Sequence, residues 1–239
     1  MMARKSAAGA SADSEVESKS QRTRQRILDA AAHVLSVKGF AGTRLSDVAE
    51  YAQLQAPAIY YYFLSREDLI EEVMFCGISD MRQHLQDTLD ALPVGTPPLD
   101  RIMAAVEAHL RHELELSDYA TASIRNSGQI PEHLSARERK ESAAYGRMWQ
   151  RLFDDAAADG EMRTDLDPRF VQGLLLGALN WAAEWWDPRW GSVDSIVASA
   201  QGLVRSGISP VAGASPGASA SSVPLASRSP RQEAVRAAD

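Results

Sequence analysis

Residues 22–69 read RTRQRILDAAAHVLSVKGFAGTRLSDVAEYAQLQAPAIYYYFLSREDL, which sets out three short helices and the start of a fourth. Ile27, Ala31, Val34 and Leu35 recur at i, i+4, i+7 and i+8, so they share one helical face. Gly39 supplies a left-handed stop after them. Thr43 is placed to cap a second helix, in which Leu45, Val48 and Ala49 point inward. A third helix begins near Gln55 and turns Ile59 and Phe63 inward. Ser65 caps a fourth, with Glu67 and Asp68 in its positive first turn, and that helix runs to about Leu92 before Pro93 stops it.

The turn around Ala52-Gln53-Leu54 is as short as a helix-turn-helix requires. A helix that reads DNA must pack its back on the domain while small or polar groups face the bases and neighbouring side chains hold phosphates. With Ile59 and Phe63 anchoring the back, Gln55, Ala56, Ala58, Tyr60 and Tyr61 are pushed outward; Tyr62, three residues after Ile59, is partly inward. An exposed tyrosine pair has no folding rationale, whereas hydroxyls that reach phosphate oxygens supply one. Arg66 adds a cation beside the start of the fourth helix, where a phosphate has room to sit.

Through GFAGTRLSDVAEYA (39–52) and IYYYFLSREDLI (59–70) the chain resembles the TetR family of bacterial regulators. That resemblance implies phosphate contacts from Thr43, Tyr60, Tyr61 and Arg66. It implies base reading by Arg44 or Ser46 on the second helix and by Gln55, Ala56 and Ala58 on the third. The chain departs from the family at several points: Gln53 stands at the usual turn glycine and Gln55 at the usual serine cap. Ala56 replaces a position often basic, and Ala58 one often threonine. Direct readout then falls to Arg44, Ser46 and Gln55, with alanine methyls against thymine. Pro57 sits in the first turn, where a missing N–H costs little.

Working outward, 239 residues with 45% hydrophobic content suit a globular protein of one or two domains. Residues 1–19 lack apolar periodicity and read as a disordered arm; residues 208–239, rich in Ala, Gly, Ser and Pro, read as a disordered tail. Between them no stretch alternates with period two, so the expected fold is all-α, about nine helices. A helix-turn-helix domain (20–65) precedes a helical ligand-binding and dimerisation bundle (66–207). No apolar run approaches the roughly 18 residues of a membrane span. The N-terminus carries no secretory signal, so a cytoplasmic location is expected. The lone Cys76 excludes a disulfide framework.

The net charge of −7 conceals a division. Residues 20–66 carry six basic and three acidic side chains, whereas residues 67–239 carry 16 basic and 26 acidic ones. Screening over about 8 Å leaves the basic head free to meet phosphate, and the acidic body discourages non-specific coating of nucleic acid.

Helices are expected at about 97–116, 118–126, 131–158, 167–187 and 192–206, the fourth of these announced by Asp167-Pro168. The segment FVQGLLLGALNWAAEWW (170–186) is apolar on more than one face, and Gly173 and Gly177 permit close helix approach. Val193, Ile196, Val197, Ala200, Leu203 and Val204 form one face of the last helix. The family resemblance implies a homodimer through the last two helices, here Gly173, Leu174, Gly177, Ala178, Val197 and Leu203. Five tryptophans between 149 and 190 either line a ligand pocket or fill that interface.

The run LLGALNWAAEWWDP (175–188) looks like members that sense acyl-CoA thioesters or similar amphiphiles. It implies that Tyr145, Trp149 and Trp181 flank an apolar tail while Arg147 or Arg151 meets an anionic head. His109 and His112 beside Glu113 have a metal-ligand spacing, but Arg111 and Glu115 among them fit a solvated face better, so no metal or other cofactor is expected. No nucleophile elbow, phosphate loop or paired catalytic carboxylates occur, so an enzyme is not expected. The expected function is an effector-responsive transcriptional regulator, most often a repressor in this family, with operator DNA, a small molecule and a second copy as partners. An architectural DNA-binding protein without an effector is the alternative.

Overall fold

The computed structural model describes residues 7–210 and is all-α. The helices are α1 (Ala7–Gly42), α2 (Leu45–Tyr51), α3 (Ala56–Ile59), α4 (Arg66–Asp90) and α5 (Pro98–Arg111), then α6 (Asp118–Asn126), α7 (Ala136–Ala158), α8 (Pro168–Asn180), α9 (Ala182–Trp185) and α10 (Val193–Ile208). Taking the single turn α9 with α8, from which only Trp181 separates it, gives the expected nine among the described residues.

Several start signals act as their chemistry dictates. Ser65 accepts from the Asp68 N–H at 3.0 Å, and Asp167 accepts from the Arg169 N–H at 2.9 Å with Pro168 in the first turn. Gly39 breaks the helical path of α1 at φ 69°, as its lack of a β-carbon allows.

Three readings need correction. Residues 7–19 continue α1 rather than forming a loose arm. They contain no proline, and extending an existing helix adds one hydrogen bond per residue without a new nucleus; residues 1–6 lie outside the described residues. At the other end α10 reaches Ile208, which is buried and whose carbonyl accepts from the Arg163 N–H at 2.8 Å. Ile208, read as the start of the tail, therefore belongs to the body, and the rest of that expectation, residues 211–239, lies outside the described residues. Finally, α5 stops at Arg111 and a π-helical turn, His112–Leu116, replaces its last turn.

Two apolar cores share α4. Leu69, Ile70, Val73 and Met74 pack with Ile27, Leu35, Val48, Ile59 and Phe63; Ile78, Met81, Leu85 and Leu89 pack with α5, α7, α8 and α10. One rigid rod thus carries both the small head and the larger body. Where α4 crosses α6 there is no slack: a β-carbon on Gly77 would lie 2.2 Å from the Tyr119 carbonyl oxygen.

Candidate functional site

The head presents one exposed polar face. In α2, Val48 and Ala49 are buried while Arg44, in extended conformation at its start, and Ser46 are exposed. The turn to α3 runs through Gln53 at φ 55°, a left-handed conformation that strains any side chain. It is braced by Leu54 N–H to Ala49 O at 2.8 Å and by the Arg26 guanidinium donating to Ala52 O. α3 is a single turn, with Ile59 and Phe63 buried behind it. In front, Gln55 is exposed, Ala56 and Ala58 are half-buried, and Tyr60 and Tyr61 are 58% and 82% exposed. Tyr62 is half-buried and meets the edge of Tyr61, with ring centroids 5.0 Å apart.

Two expected phosphate ligands face inward instead. Thr43 is buried; it does not cap α2, and its hydroxyl donates to Gly39 O at 2.8 Å to close the break in α1. Arg66 stacks on Phe40 at 4.6 Å, donates to Thr43 O at 2.7 Å and to Phe40 O, and pairs with Glu67 at 2.9 Å. Its donors clamp the end of α1 to α4, so it is a fastening of the head rather than a free cation. Both corrections have one cause: the acceptors are main-chain carbonyls exposed by the break at Gly39, which no residue pattern displays.

Helix α6 joins head to body, and sequence reasoning did not single it out. Asn126, fully buried, accepts from the Phe40 N–H at 2.7 Å and donates to Leu35 O at 3.4 Å, satisfying groups orphaned at the kink. Arg125 donates to Ser36 O at 2.7 Å, to Ala183 O at 2.8 Å and to Glu184 at 2.5 Å, so it spans from α1 to α9. The Tyr119 hydroxyl donates to Asp29 at 2.8 Å, and Asp118 pairs with His33 at 3.0 Å.

The body contains a cavity of about 170 Å³ where α4, α6, α7 and α8 meet. Its walls are Ile78, Met81, Ile124 and Leu176, with Ser123, Ser127, Glu138, Ser142, Tyr145, Gly146 and Asn180 supplying the polar edge. Of the expected ligand residues only Tyr145 lines it. Trp149 is wholly buried and stacks near Phe153 at 6.4 Å, so it fills the core. Arg147 and Arg151 are exposed on α7, and Trp181 is exposed between α8 and α9.

Behind Tyr145 lies a buried polar group whose presence corrects the solvated-face reading. The Tyr145 hydroxyl meets His109 Nδ1 at 2.8 Å, and His109 Nε2 stands 3.6 Å from the carboxyl of Glu113, both side chains fully enclosed. The helical winding that exposes Glu115 carries His109 and Glu113 inward. Burial pushes the Glu113 carboxyl up. Burial, then His84 and His109, press His112 down to about 4. Among the described residues no set of three or more His, Cys, Asp or Glu is arranged to hold a metal.

The helices α8, α9 and α10, with Trp181 between the first two, present an apolar surface: Phe170, Leu174, Trp181, Trp185 and Leu203 are exposed. Gly173, Gly177 and Ala178 are exposed among them, and nothing lies within 4 Å of a β-carbon added at either glycine. Val197, expected here, is buried on the other face of α10 against the body core.

Residues 27–73 match the bacterial regulatory proteins of the tetR family, and residues 95–202 match the tetracyclin repressor-like C-terminal domain. The chain belongs to the TetR family. It is similar to the HTH-type transcriptional repressor KstR2 of Mycolicibacterium smegmatis, 25% identical over 169 residues, covering 69% of this chain and 80% of that protein. Its fold is that of AibR, solved in complex with isovaleryl coenzyme A and operator DNA (TM-score 0.68, 18% identity, 76% and 96% of the two chains). It is likewise that of KstR2 of Mycobacterium tuberculosis, a ketosteroid transcriptional regulator (TM-score 0.66, 19% identity, 78% and 94%). As a TetR-family helix-turn-helix transcriptional regulator, it has a DNA-reading head matched by the first pattern and a body matched by the second.

Proposed function

We propose that the protein is a homodimeric repressor that leaves its operator when a small hydrophobic or amphiphilic molecule enters the body, and that it acts in the cytoplasm. The observation that carries this reading is the division at α3 and its flanks: Ile59 inside, Gln55, Tyr60 and Tyr61 outside, an arrangement that serves a phosphate-bearing groove. Arg44, Ser46 and Gln55 read bases, helped by Ala56 and Ala58, while Tyr60 and Tyr61 hold phosphates.

A head this small recognises one half-site, and a second copy supplies the other. The open apolar surface of α8 and α10, with Leu174 and Leu203 about three-quarters exposed, is the seam. Among the described residues no helix is long and apolar enough to cross a membrane, so a bilayer-spanning role for that surface has no support. Effector and operator oppose each other because α4 and α6 border the cavity and also hold the head, so each ligand selects its own spacing of the two heads. The acyl thioester class implied by the tryptophan-rich run would place its anionic head near Arg147 or Arg151, on the outer surface of α7.

The test is fluorescence anisotropy with a duplex from upstream of the protein's own gene, beside a scrambled duplex, across a salt series. Binding to the first alone, with affinity falling about 10³-fold or more between 50 and 200 mM salt, is expected. Light scattering should give twice the chain mass, reduced to a single chain mass by Leu174→Glu. Equal binding to both duplexes would overturn the repressor reading.

A further inference from the structure

The cavity between α4, α6, α7 and α8 has a chemical bias. One wall carries the carboxyl group of Glu138, a residue only 6% exposed, which accepts from the Ser142 hydroxyl at 2.6 Å. Among the described residues no Lys, Arg or His nitrogen comes within 4 Å of it. The nearby cations are engaged elsewhere, Arg82 with Glu141 at 2.6 Å and Arg137 with Glu72 at 2.9 Å. Every other polar group on the lining is a neutral oxygen or amide from Ser123, Ser127, Ser142, Tyr145 and Asn180. Glu138 lies in the first turn of α7, where the helix dipole favours a negative charge, and on the cavity wall no cation stands opposite it.

We propose that this cavity is the effector site and that it takes a small molecule bearing an N–H-containing ammonium group on a compact apolar body, with Glu138 as its counter-ion. The binding claim stands on the cavity; its regulatory consequence rests on the repressor reading above. An ammonium directs its N–H donors to Glu138 and to the neighbouring neutral acceptors, and its carbon body meets Ile78, Met81 and Leu176. An anionic head finds no basic residue on the lining and faces the carboxylate instead, so the same wall that attracts amines rejects acids. Size narrows the class further. Cavities of roughly 150 Å³ hold a benzene-sized guest, so the 170 Å³ here suits a short alkyl or single-ring amine.

Occupancy also has a mechanical outlet. Ile78 and Ser123 line the cavity on α4 and α6, and beside them the main chains touch at Gly77 and Tyr119. A guest that fills or swells the cavity cannot be absorbed at that contact, so α6 moves against α4 and takes Arg125 and Asn126, which hold the end of α1, with it.

The experiment compares hexylamine and benzylamine with hexanoate and hexanol by thermal melting and by anisotropy on the bound operator duplex. At about ten times the dissociation constant the amines should raise the melting temperature by about 3–6 °C and release the duplex; hexanoate should do neither. The shift should vanish in Glu138→Gln, return in Glu138→Asp, and vanish again in Leu176→Trp, which fills the cavity. A hexanoate shift equal to that of hexylamine, or an amine shift that survives Glu138→Gln or Leu176→Trp, overturns the ammonium site. Glu138-dependent stabilisation without release of the duplex supports the site and overturns the effector-released reading. Release by hexanoate or an acyl thioester with no amine response does the reverse.

Discussion

Gly77 and Tyr119 lie so close that a β-carbon on the first would stand 2.2 Å from the carbonyl oxygen of the second. Main chain meets main chain there, midway between the two cores that share α4, and the Ser123 β-carbon closes the same spot at 2.9 Å. Because neither partner is the tip of a flexible side chain, any added volume must push α4 and α6 away from each other. Those helices connect the cavity with the head.

Gly77→Ala is therefore expected to act as a built-in wedge. Overpacking of this kind costs about 1–3 kcal/mol, and the operator affinity should fall at least tenfold while the dimer persists. Melting curves, light scattering and anisotropy on one preparation check all three. Unchanged melting and unchanged affinity would show that α4 and α6 have play at this point.

Tyr60→Phe and Tyr61→Phe each remove one exposed hydroxyl and no packing. Each should weaken binding to every duplex by about 1 kcal/mol, roughly fivefold at matched salt, without altering the melting temperature. Arg66→Ala should behave in the opposite way. Its loss unfastens Phe40 and Thr43, so the head should melt early, by about 1–3 kcal/mol, before any effect on salt dependence is seen. A stable Arg66→Ala protein with a shallower salt slope would return Arg66 to the phosphate contacts.

Gln53 occupies the left-handed region at φ 55° with a full side chain. Gln53→Gly relieves that strain but adds freedom to the unfolded chain, and the balance should stabilise the head by about 0.5–1 kcal/mol. Urea denaturation followed at the tyrosines checks the sign. A loss of stability would mean that the glutamine side chain makes up for its backbone.

The polar group around His112 sets a pH dependence. His112 is held neutral in the folded state, its pKa lowered from 6.5 to about 4 by burial and by His84 and His109. Below 6.5 the unfolded chain takes up the proton first, so this group's share of stability is complete above 6.5 and declines as pH falls toward 4. Glu113 works the other way: its pKa is raised from 4.5 by burial, so its penalty grows as pH rises past 4.5. His112→Asn removes the first effect alone. Urea titrations at pH 7 and pH 5 should show a smaller acid loss in that variant than in the natural chain, and an equal or larger loss would count against a buried neutral His112.

Much of this was legible in the residues because caps and periodicity are local properties. Ser65, Asp167-Pro168 and the Ile59/Phe63 pair each acted within a turn or two of their own position. What stayed hidden depended on main-chain atoms or on winding. Arg66 and Thr43 resemble surface polar groups until the break at Gly39 gives them carbonyls to hold. His109 and Glu113 sit between charged neighbours, and only the helical path past Arg111 shows that they face Tyr145 and Trp149. Val197 belongs to the same apolar row as Leu203 in sequence, yet it lies on the covered side of α10. The full burial of Asn126 had no signal at all, since one amide in a nine-residue helix carries no period.

The polar fastening between α6 and the reading head is addressed to the backbone: Arg125 takes Ser36 O, and Asn126 takes Leu35 O and the Phe40 N–H. Those groups exist whatever side chains α1 carries, provided a glycine-like kink presents them. The body is therefore a socket that reads chiefly the shape of a head, and its spelling only where Asp29 meets Tyr119 and His33 meets Asp118. A foreign helix-turn-helix segment grafted upstream of α4, with that kink and the partners of Tyr119 and Asp118 kept, would seat in the same place and bring a new operator under the control of an unchanged body.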